Sequence, residues 1–493
     1  MTDSNSTKPS NVSEQSAPAA YQDSAELLRE RAHCFLDQHR VPMVFIDGQI
    51  YQVRSVDLKA KIFKMVQAEI GEELSSKETK ELIFSLEMRS RNGEQIELCN
   101  RFARRDNSLL LDLGGSEYVE IEAGNWRVCQ KQSPVFKQLS HQRKLPIPET
   151  GSDLSILFKL LSLMDPEQQL FIVAWIVSAM MPDCVTPMLL VTGEQGAGKT
   201  TASKLLRSIL DPSQIPLLGD LDLRDWFLTF ENHAIPVFEN VGRFDSRMTD
   251  IFCRTVTGAG IQKRRLYTNS DTVIYQFHCP IIINGVNLPS QRPDFLDRVL
   301  HLELKRHREF KPSRVIWEEF QLALPKILGG LLDIVAKVLL EIGQIEPNGS
   351  SRMSDFVRVG RAVAVVFGRN PDEFDAVFQA NQDSLLFDIG DSDPLVRTIQ
   401  SLVTRHPTCD PWKGSAAKLL SNLQDICRLS NVSKYELPKD ATRLSGRLTE
   451  LTTVLSKSGV AFERGKERGK RFVSLSQFEK TNPVVSDSKG GVK

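Results

Sequence analysis

The chain has 493 residues, with 62 Lys and Arg balanced by 62 Asp and Glu. That length corresponds to about three domains and excludes a small disulfide-stapled scaffold. The balanced charge offers no global argument for a nucleic-acid or acidic partner, so any such argument must rest on local clustering.

The eight cysteines, Cys34, Cys99, Cys129, Cys184, Cys253, Cys279, Cys409 and Cys427, form no CxxC pair and no Cys/His group at zinc-ligand spacing. They fit reduced thiols. The longest apolar run, Leu170 to Met181, is too short to span a bilayer. The first residues lack the basic-then-apolar order of a leader, so a cytoplasmic protein without membrane contact is expected.

Residues 1–20 are rich in Ser, Thr, Asn, Pro and Ala without apolar periodicity and are expected to be disordered. Residues 21–150 predict a small α+β domain. Helical spacing covers 25–32, 56–70 and 77–88, and Asp47-Gly48 between apolar runs predicts a hairpin. From Ile96 to Phe136 the period changes to two, with turn signals at Arg105-Asp106-Asn107, Gly114-Gly115 and Ala123-Gly124-Asn125, predicting an antiparallel β unit. Two helices follow at 153–164 and 166–181, the second almost wholly apolar and predicted to be buried.

Over 151–345, short apolar strands alternate with helices, the pattern of a parallel α/β sheet, with strands at 188–192, 234–238, 280–284 and 299–304. A helical linker is expected over 346–393, a last unit over 394–478 and a disordered tail over 479–493.

The strongest signal is Gly193-Glu194-Gln195-Gly196-Ala197-Gly198-Lys199-Thr200, which fits G-x-x-x-x-G-K-[ST] between a predicted strand and a predicted helix. Its glycines free backbone N–H groups to wrap phosphates, the helix N-terminus adds positive potential, Lys199 reaches the outer phosphates and Thr200 ligates Mg²⁺. Residues Gly193 to Thr201 are thus the candidate ATP site. Such a site needs a carboxylate at a strand tip, and Glu239 ends the apolar run Ala234 to Phe238. Glu239 is therefore a second Mg²⁺ and catalytic candidate. Asn240 follows it where many such ATPases carry another acid.

Pro280 to Asn284 is a further buried strand, ending in an amide suited to hold the γ-phosphate or the attacking water. Arg292 and Arg298 lie between it and the next strand. Either guanidinium could stabilise phosphoryl transfer at a neighbouring subunit's ATP; the alternative is an ion pair of Arg298 with a nearby Asp.

Two basic clusters suggest nucleic acid. Lys263-Arg264-Arg265 precedes Tyr267 in a predicted hairpin, able to grip phosphates and stack a base. Arg464, Lys466, Arg468, Lys470 and Arg471 occupy a Gly-containing turn between two strands. With helices at 415–429 and 442–459 before it, that turn has the place of a winged helix's wing. Each run alone is equally well a solvated surface loop. His233, His278 and His301 flank strands singly and are expected to be structural.

The motif order resembles the superfamily-3 helicase branch of the AAA+ ATPases, and more closely the D5-type primase-helicases and related ATP-binding proteins of phages, plasmids and integrated elements. The residues that carry the resemblance are Thr192 to Thr201, Leu205 to Pro212, Thr257 to Gly260, Arg265 to Asn269, Ile283 to Gly285, Arg292 to Arg298 and Leu328 to Asp333. The resemblance is strong over about 155–345. It implies an AAA+-like P-loop domain after a small α+β domain and before a winged-helix-like one, in a hexameric ring with ATP at subunit interfaces. It also implies Asn284 as the sensor, Arg298 or Arg292 as the arginine finger, and Lys263, Arg264 and Arg265 lining the channel.

The expected function is an ATP-driven DNA helicase or translocase of a mobile element's replication module, acting on single-stranded or forked DNA. No primase signature precedes the ATPase segment, so where priming is needed a separate primase or polymerase is expected to supply it. The missing second acid motivates an alternative, an ATP-gated DNA-binding or assembly switch. A small-molecule kinase is disfavoured because nothing resembles a substrate lid.

Overall fold

In the computed structural model the described residues are 19–151, 154–219, 226–264, 272–285, 288–306, 311–346, 352–406, 410–429, 437–467 and 469–478. The chain ends expected to be disordered and the centre of the basic hairpin fall outside them, apart from a few flanking residues.

The N-terminal stretch comprises α1 (Ala19–Arg31), β1 (His33–Leu36), β2 (Pro42–Ile46), β3 (Gln49–Gln52), α2 (Val56–Glu69) and α3 (Ser76–Arg91). The strands form an antiparallel sheet in chain order. Asp47 and Gly48 both take positive φ, 51° and 78°, the geometry of a two-residue hairpin turn. The expected hairpin is present, and β1, whose HCFL shows no polar alternation, extends it. Ser75 and Glu78 start α3 as a reciprocal capping box. Strands β4 (Phe102–Arg105), β5 (Ser108–Gly114), β6 (Glu117–Glu122) and β7 (Asn125–Gln130) make a four-stranded sheet in chain order.

Next come α4 (Ser155–Leu161), α5 (Pro166–Ala179), β8 (Met188–Gly193), α6 (Lys199–Leu210), α7 (Trp226–Asn232), β9 (Val237–Glu239) and α8 (Ser246–Val256). The two-stranded β10 (Ala259–Arg264) and β11 (Thr272–Phe277) are followed by β12 (Ile282–Asn284), α9 (Pro293–Leu296), β13 (Val299–Leu304) and the 29-residue α10 (Ser313–Glu341). Strands β13, β8, β12 and β9, in that order, form a parallel four-stranded sheet. Every residue of α5 from Leu170 to Ala179 is buried, because α10, α11 (Ser354–Val366) and α12 (Pro371–Ser392) all pack on it.

The stretch expected as a helical linker is α11 and α12, and both have buried faces. On α12, Asn381 bonds the backbone of His301 twice, accepting from its N–H at 3.0 Å and donating to its carbonyl at 2.7 Å. An amide side chain thus caps the open edge of β13, where another strand would otherwise pair.

The chain continues through α13 (Pro394–Val403), β14 (Trp412–Gly414), α14 (Ala416–Leu429), α15 (Ala441–Glu450), α16 (Thr452–Lys457), β15 (Val460–Glu467) and β16 (Lys470–Gln477). The three strands form an antiparallel sheet with β16 central. The single helix expected over 442–459 is two, divided at Leu451. Leu444, Leu448, Val454, Leu455 and Leu475 are buried within this part.

By contacts the chain divides into two units. One comprises Met1–Glu120, Arg127–Leu145 and Lys263–Ile274; the other comprises Ile121–Trp126, Pro146–Gln262 and Tyr275–Lys493. No single helix among the described residues is long and apolar enough to cross a membrane.

Residue Glu149 lies against α10 where that helix carries Pro325 and Gly329. Glu149 donates its N–H to the Pro325 carbonyl at 3.0 Å, and a Cβ on Gly329 would sit 1.6 Å from the Glu149 carbonyl oxygen. Gly329→Ala is expected to destabilise the chain by about 1–3 kcal/mol through overpacking. Gly343→Ala, which meets nothing within 4 Å, should leave the thermal midpoint nearly unchanged. Paired thermal unfolding curves check both.

Candidate functional site

Strand β8 delivers the glycine-rich segment to the C-terminal edge of the parallel sheet. Gly193 has φ +137°, and a Cβ there would lie 2.2 Å from the Leu304 carbonyl oxygen on the neighbouring strand, so only glycine fits. Gly196 and Gly198 also hold positive φ, 85° and 83°. Ala197 is buried beneath the turn while Glu194, Gln195 and Gly196 form its exposed rim. Gly198 precedes α6 and provides no side-chain cap, so the first amides of that helix keep their donor capacity. Lys199 Nζ donates to the carbonyls of Gly193 at 2.8 Å and Glu194 at 2.9 Å, which folds its ammonium back over the loop. Thr201 is half-buried in the first turn of α6.

The sheet register brings the other candidates to this edge. Asn284 pairs with Val191 on one side and Glu239 on the other. Glu239 is not on the strand beside β8, because β12 stands between them. It is nevertheless reached from α6: Thr200 Oγ1 donates to Glu239 Oε1 at 2.6 Å. Asn284 is 2% exposed and fully engaged, donating from Nδ2 to Ser203 Oγ at 3.1 Å and accepting at Oδ1 from the Asn240 N–H at 3.1 Å. Asn240 takes φ +51°, so the chain turns away directly after the acid. Among the candidates, the loop, Lys199, Thr200, Glu239 and Asn284 are brought together.

Sequence inspection missed two supporting residues, Ser203, which ties α6 to Asn284, and Asn381; His301, expected to be structural, holds the residue before the glycine turn. His301 Nε2 lies 2.6 Å from Thr192 Oγ1, immediately before the glycine turn. Burial lowers the imidazole's pKa, opposed by the nearby carboxylates of Asp388 and Glu303. The other two histidines are also held locally, His233 Nδ1 at 2.7 Å from Arg207 Nη2 and His278 Nδ1 at 3.1 Å from the Pro182 carbonyl.

The two arginines sit elsewhere. Arg298 immediately precedes β13, whose first residue pairs with Met188 and whose last pairs with Gly193. In a parallel sheet that places Arg298 at the opposite edge from the glycine loop, a strand length or roughly 16 Å away. Its Nη1 donates to the Asp294 carbonyl at 2.5 Å, and its buried Nε has no hydrogen-bond partner among the described residues. The expected alternative, a pairing of Arg298 with an Asp carboxylate, is seen on Arg292 instead. Arg292 holds Asp294 with two nitrogens at 2.9 and 2.6 Å and Asp250 at 2.8 Å. Asp294 foremost, then Asp250, raise its pKa against the effect of burial. A chain of ring contacts runs from Phe238 beside Glu239 to Phe252 at 5.1 Å, Phe244 at 4.6 Å and Phe295 between the arginines at 6.0 Å.

Of the basic candidates, Lys263 and Arg264 lie in β10, while Arg265 and Arg468 lie outside the described residues. Arg464 and Lys466 are in β15, and Lys470 and Arg471 in β16. Lys466 and Arg471 are exposed. Arg464 is engaged within the chain, donating to the Ser445 carbonyl and Thr449 Oγ1 and lying 5.2 Å from the Phe462 ring centre. No group of three or more His, Cys, Asp or Glu among the described residues could hold a metal ion.

Residues 154–381 match the model of the actinomycete integrative conjugative element replication protein, RepA, and residues 395–487 match the model of the RepA C-terminal domain. Two models of one replication-protein family thus match this chain in succession. The first RepA match spans the parallel sheet and its helices and ends within α12, and the second starts in α13. Among solved structures, the A form apo structure of the NrS-1 C-terminal region is similar at 13% identity with a TM-score of 0.44, covering 93% of this chain and 99% of that one. A second apo structure of that region has 14% identity and a TM-score of 0.40 over the same shares. No curated protein matches the sequence.

The His301 geometry has a pH consequence. Because its folded-state pKa lies below the ordinary 6.5, the unfolded chain binds the proton more readily. His301's contribution is therefore complete above about pH 6.5 and is lost as pH falls through the folded value. The thermal midpoint should drop on acidification through that window, and His301→Gln should flatten the drop. Melting curves across a pH series check this.

Proposed function

We propose that this chain is the nucleotide-driven component of a mobile-element replication module, an AAA+-like ATPase of the superfamily-3 type that acts on DNA. The observation that carries the proposal is the convergence of Lys199, Thr200, Glu239 and Asn284 at one edge of the parallel sheet, with Thr200 and Glu239 2.6 Å apart. The RepA matches support the replication setting.

The residues fit ATP and Mg²⁺. A hydroxyl and a carboxylate in contact form the oxygen pair a hard cation takes, and the free first-turn amides of α6 with the Lys199 ammonium suit phosphates. Bound Mg²⁺ and ATP would supply the transferable phosphoryl group and its charge neutralisation. The chain's part is to position: the glycine turn wraps phosphate, Lys199 leaves its loop carbonyls for the outer phosphates, and Glu239 accepts a hydrogen bond from the attacking water. Asn284, whose donor and acceptor are both spent on Ser203 and Asn240, would hold α6 and the turn after Glu239 at the spacing that receives that water.

Arg298 is too far along its own strand to reach this loop, which supports action on a neighbouring copy's ATP, and so a ring, proposed here as a hexamer. Arg292, already held by Asp294 and Asp250, would serve to stiffen that segment. The antiparallel sheet with β15 and β16 as an arm, and helices α13 to α16, has the element order of a winged helix and would hold DNA. Lys263, Arg264 and Arg265 would line the channel, and Lys466, Arg468, Lys470 and Arg471 the wing. A separate primase would supply primers.

The single acid favours a second reading, an ATP-gated DNA-binding switch. Asn240 stands where a second carboxylate would be, and its backbone is committed to Asn284. ATP turnover by the purified chain with and without single-stranded DNA separates the two. The motor predicts DNA-stimulated turnover that Lys199→Ala lowers at least about 100-fold, as expected for losing a charge-stabilising donor. The switch predicts ATP-dependent DNA binding with negligible turnover.

Arg298→Ala should abolish hydrolysis while leaving ATP binding intact. Mixing it with Glu239→Gln subunits should restore part of the activity, as measured by phosphate release.

A further inference from the structure

The outer edge of β13 is closed by side chains instead of a strand. Its Val299, His301 and Glu303 carbonyls each accept from a side-chain amide: Gln382 at 2.7 Å, Asn381 at 2.7 Å and Gln168 at 3.2 Å. Gln382 and Asn381 are on α12, and Gln168 is on α5. Asn381 also accepts from the His301 N–H at 3.0 Å. Two helices thus fix this strand from its first residue, Val299, to Glu303, the residue before its end.

The inner edge of the same strand meets the glycine-rich turn. Glu303 and Leu304 are in register with Thr192 and Gly193. A Cβ on Gly193 would lie 2.2 Å from the Leu304 carbonyl oxygen, so the turn leaves β8 in close contact with β13. A side-chain contact joins the two strands at this point, with Thr192 Oγ1 2.6 Å from His301 Nε2. Residues two apart on a strand share a face, so His301 reaches Thr192 diagonally, across the Thr192–Glu303 pair. Burial lowers the imidazole's pKa, so the ring is neutral at pH 7 and has a nitrogen able to accept the threonine proton. One residue further on, the Gly193 carbonyl is where Lys199 Nζ rests at 2.8 Å. The hydroxyl is therefore held on the residue from which the whole turn departs.

We propose that Thr192 and His301 are positioning residues for the nucleotide, their bond holding Gly193 at the placement in which the loop amides and Lys199 receive phosphate. The proposal rests on the ATP-binding reading above and deepens it. The pair acts through the loop, and α12 and α5 act through β13 by keeping the imidazole in place. A turn released from this bond must be ordered when nucleotide binds, and that ordering is subtracted from the affinity.

The test measures ADP affinity of the full chain with Mg²⁺ by calorimetry, for wild type, Thr192→Val, Thr192→Ser, His301→Leu and the Thr192→Val, His301→Leu double variant. Valine keeps the β-branched shape and loses the hydroxyl, whereas serine keeps the hydroxyl. Thr192→Val is expected to weaken ADP binding about fivefold, the scale of one hydrogen bond, and Thr192→Ser to restore it. The double variant should bind no more weakly than the weaker single variant, because both substitutions remove one shared bond. A second readout needs no nucleotide: amide hydrogen exchange over 193–199 should speed up in Thr192→Val and not in Thr192→Ser. Thermal midpoints establish that each variant is folded. Unchanged ADP affinity or unchanged exchange in folded Thr192→Val, a loss that Thr192→Ser does not restore, or losses that add in the double variant overturn the proposal and leave the ATP-binding reading standing. Wild type that binds no ADP overturns both.

Discussion

The position of one short strand governs the candidate site. With β12 inserted between β8 and β9, Asn284 is in register with Val191 and with Glu239, so β12 and β9 finish at one level, two residues short of the end of β8. A parallel ladder shifted by one residue would turn Asn284 and Glu239 to the other face of the sheet and separate them from α6. The cost of holding a buried amide there is offset because both its donor and its acceptor sides are paired, to Ser203 and to Asn240.

The same sheet explains why Arg298 lies away from the glycine-rich loop of its own chain. Parallel strands place their beginnings and ends on opposite edges, and Arg298 lies at a beginning while Gly193 lies at an end. The polarity of the chain through the sheet thus divides the glycine-rich loop from the Arg298 guanidinium. Asn381 on α12 preserves this arrangement by pairing the outer edge of β13, which leaves the outer strand closed to augmentation.

Much of this was legible in the sequence where the information is local. The glycine-rich segment is contiguous, the four parallel strands are apolar runs, and Glu239 and Asn284 stand at run ends. Strand order is not local, so nothing in 234–240 indicated that β9 would be separated from β8. His301 and Thr192 are 109 residues apart, and Asn381 and His301 80; only the fold brings them together. The division of α15 from α16 at Leu451 was hidden because the apolar spacing continues across it, and β14, three residues long, is too short for a period. The second basic cluster was visible as charge, but composition could not tell that Arg464 would be spent on α15 while Lys466 stayed exposed.

The rings of Phe238, Phe252, Phe244 and Phe295 have a mechanical consequence. Close-packed aromatic groups resist compression, so a push at one end of the row is transmitted rather than absorbed. One end touches the strand that carries Glu239 and the other lies between Arg292 and Arg298. A displacement of the strand that carries Glu239 would therefore be felt as a tilt of the segment that carries Arg292 and Arg298.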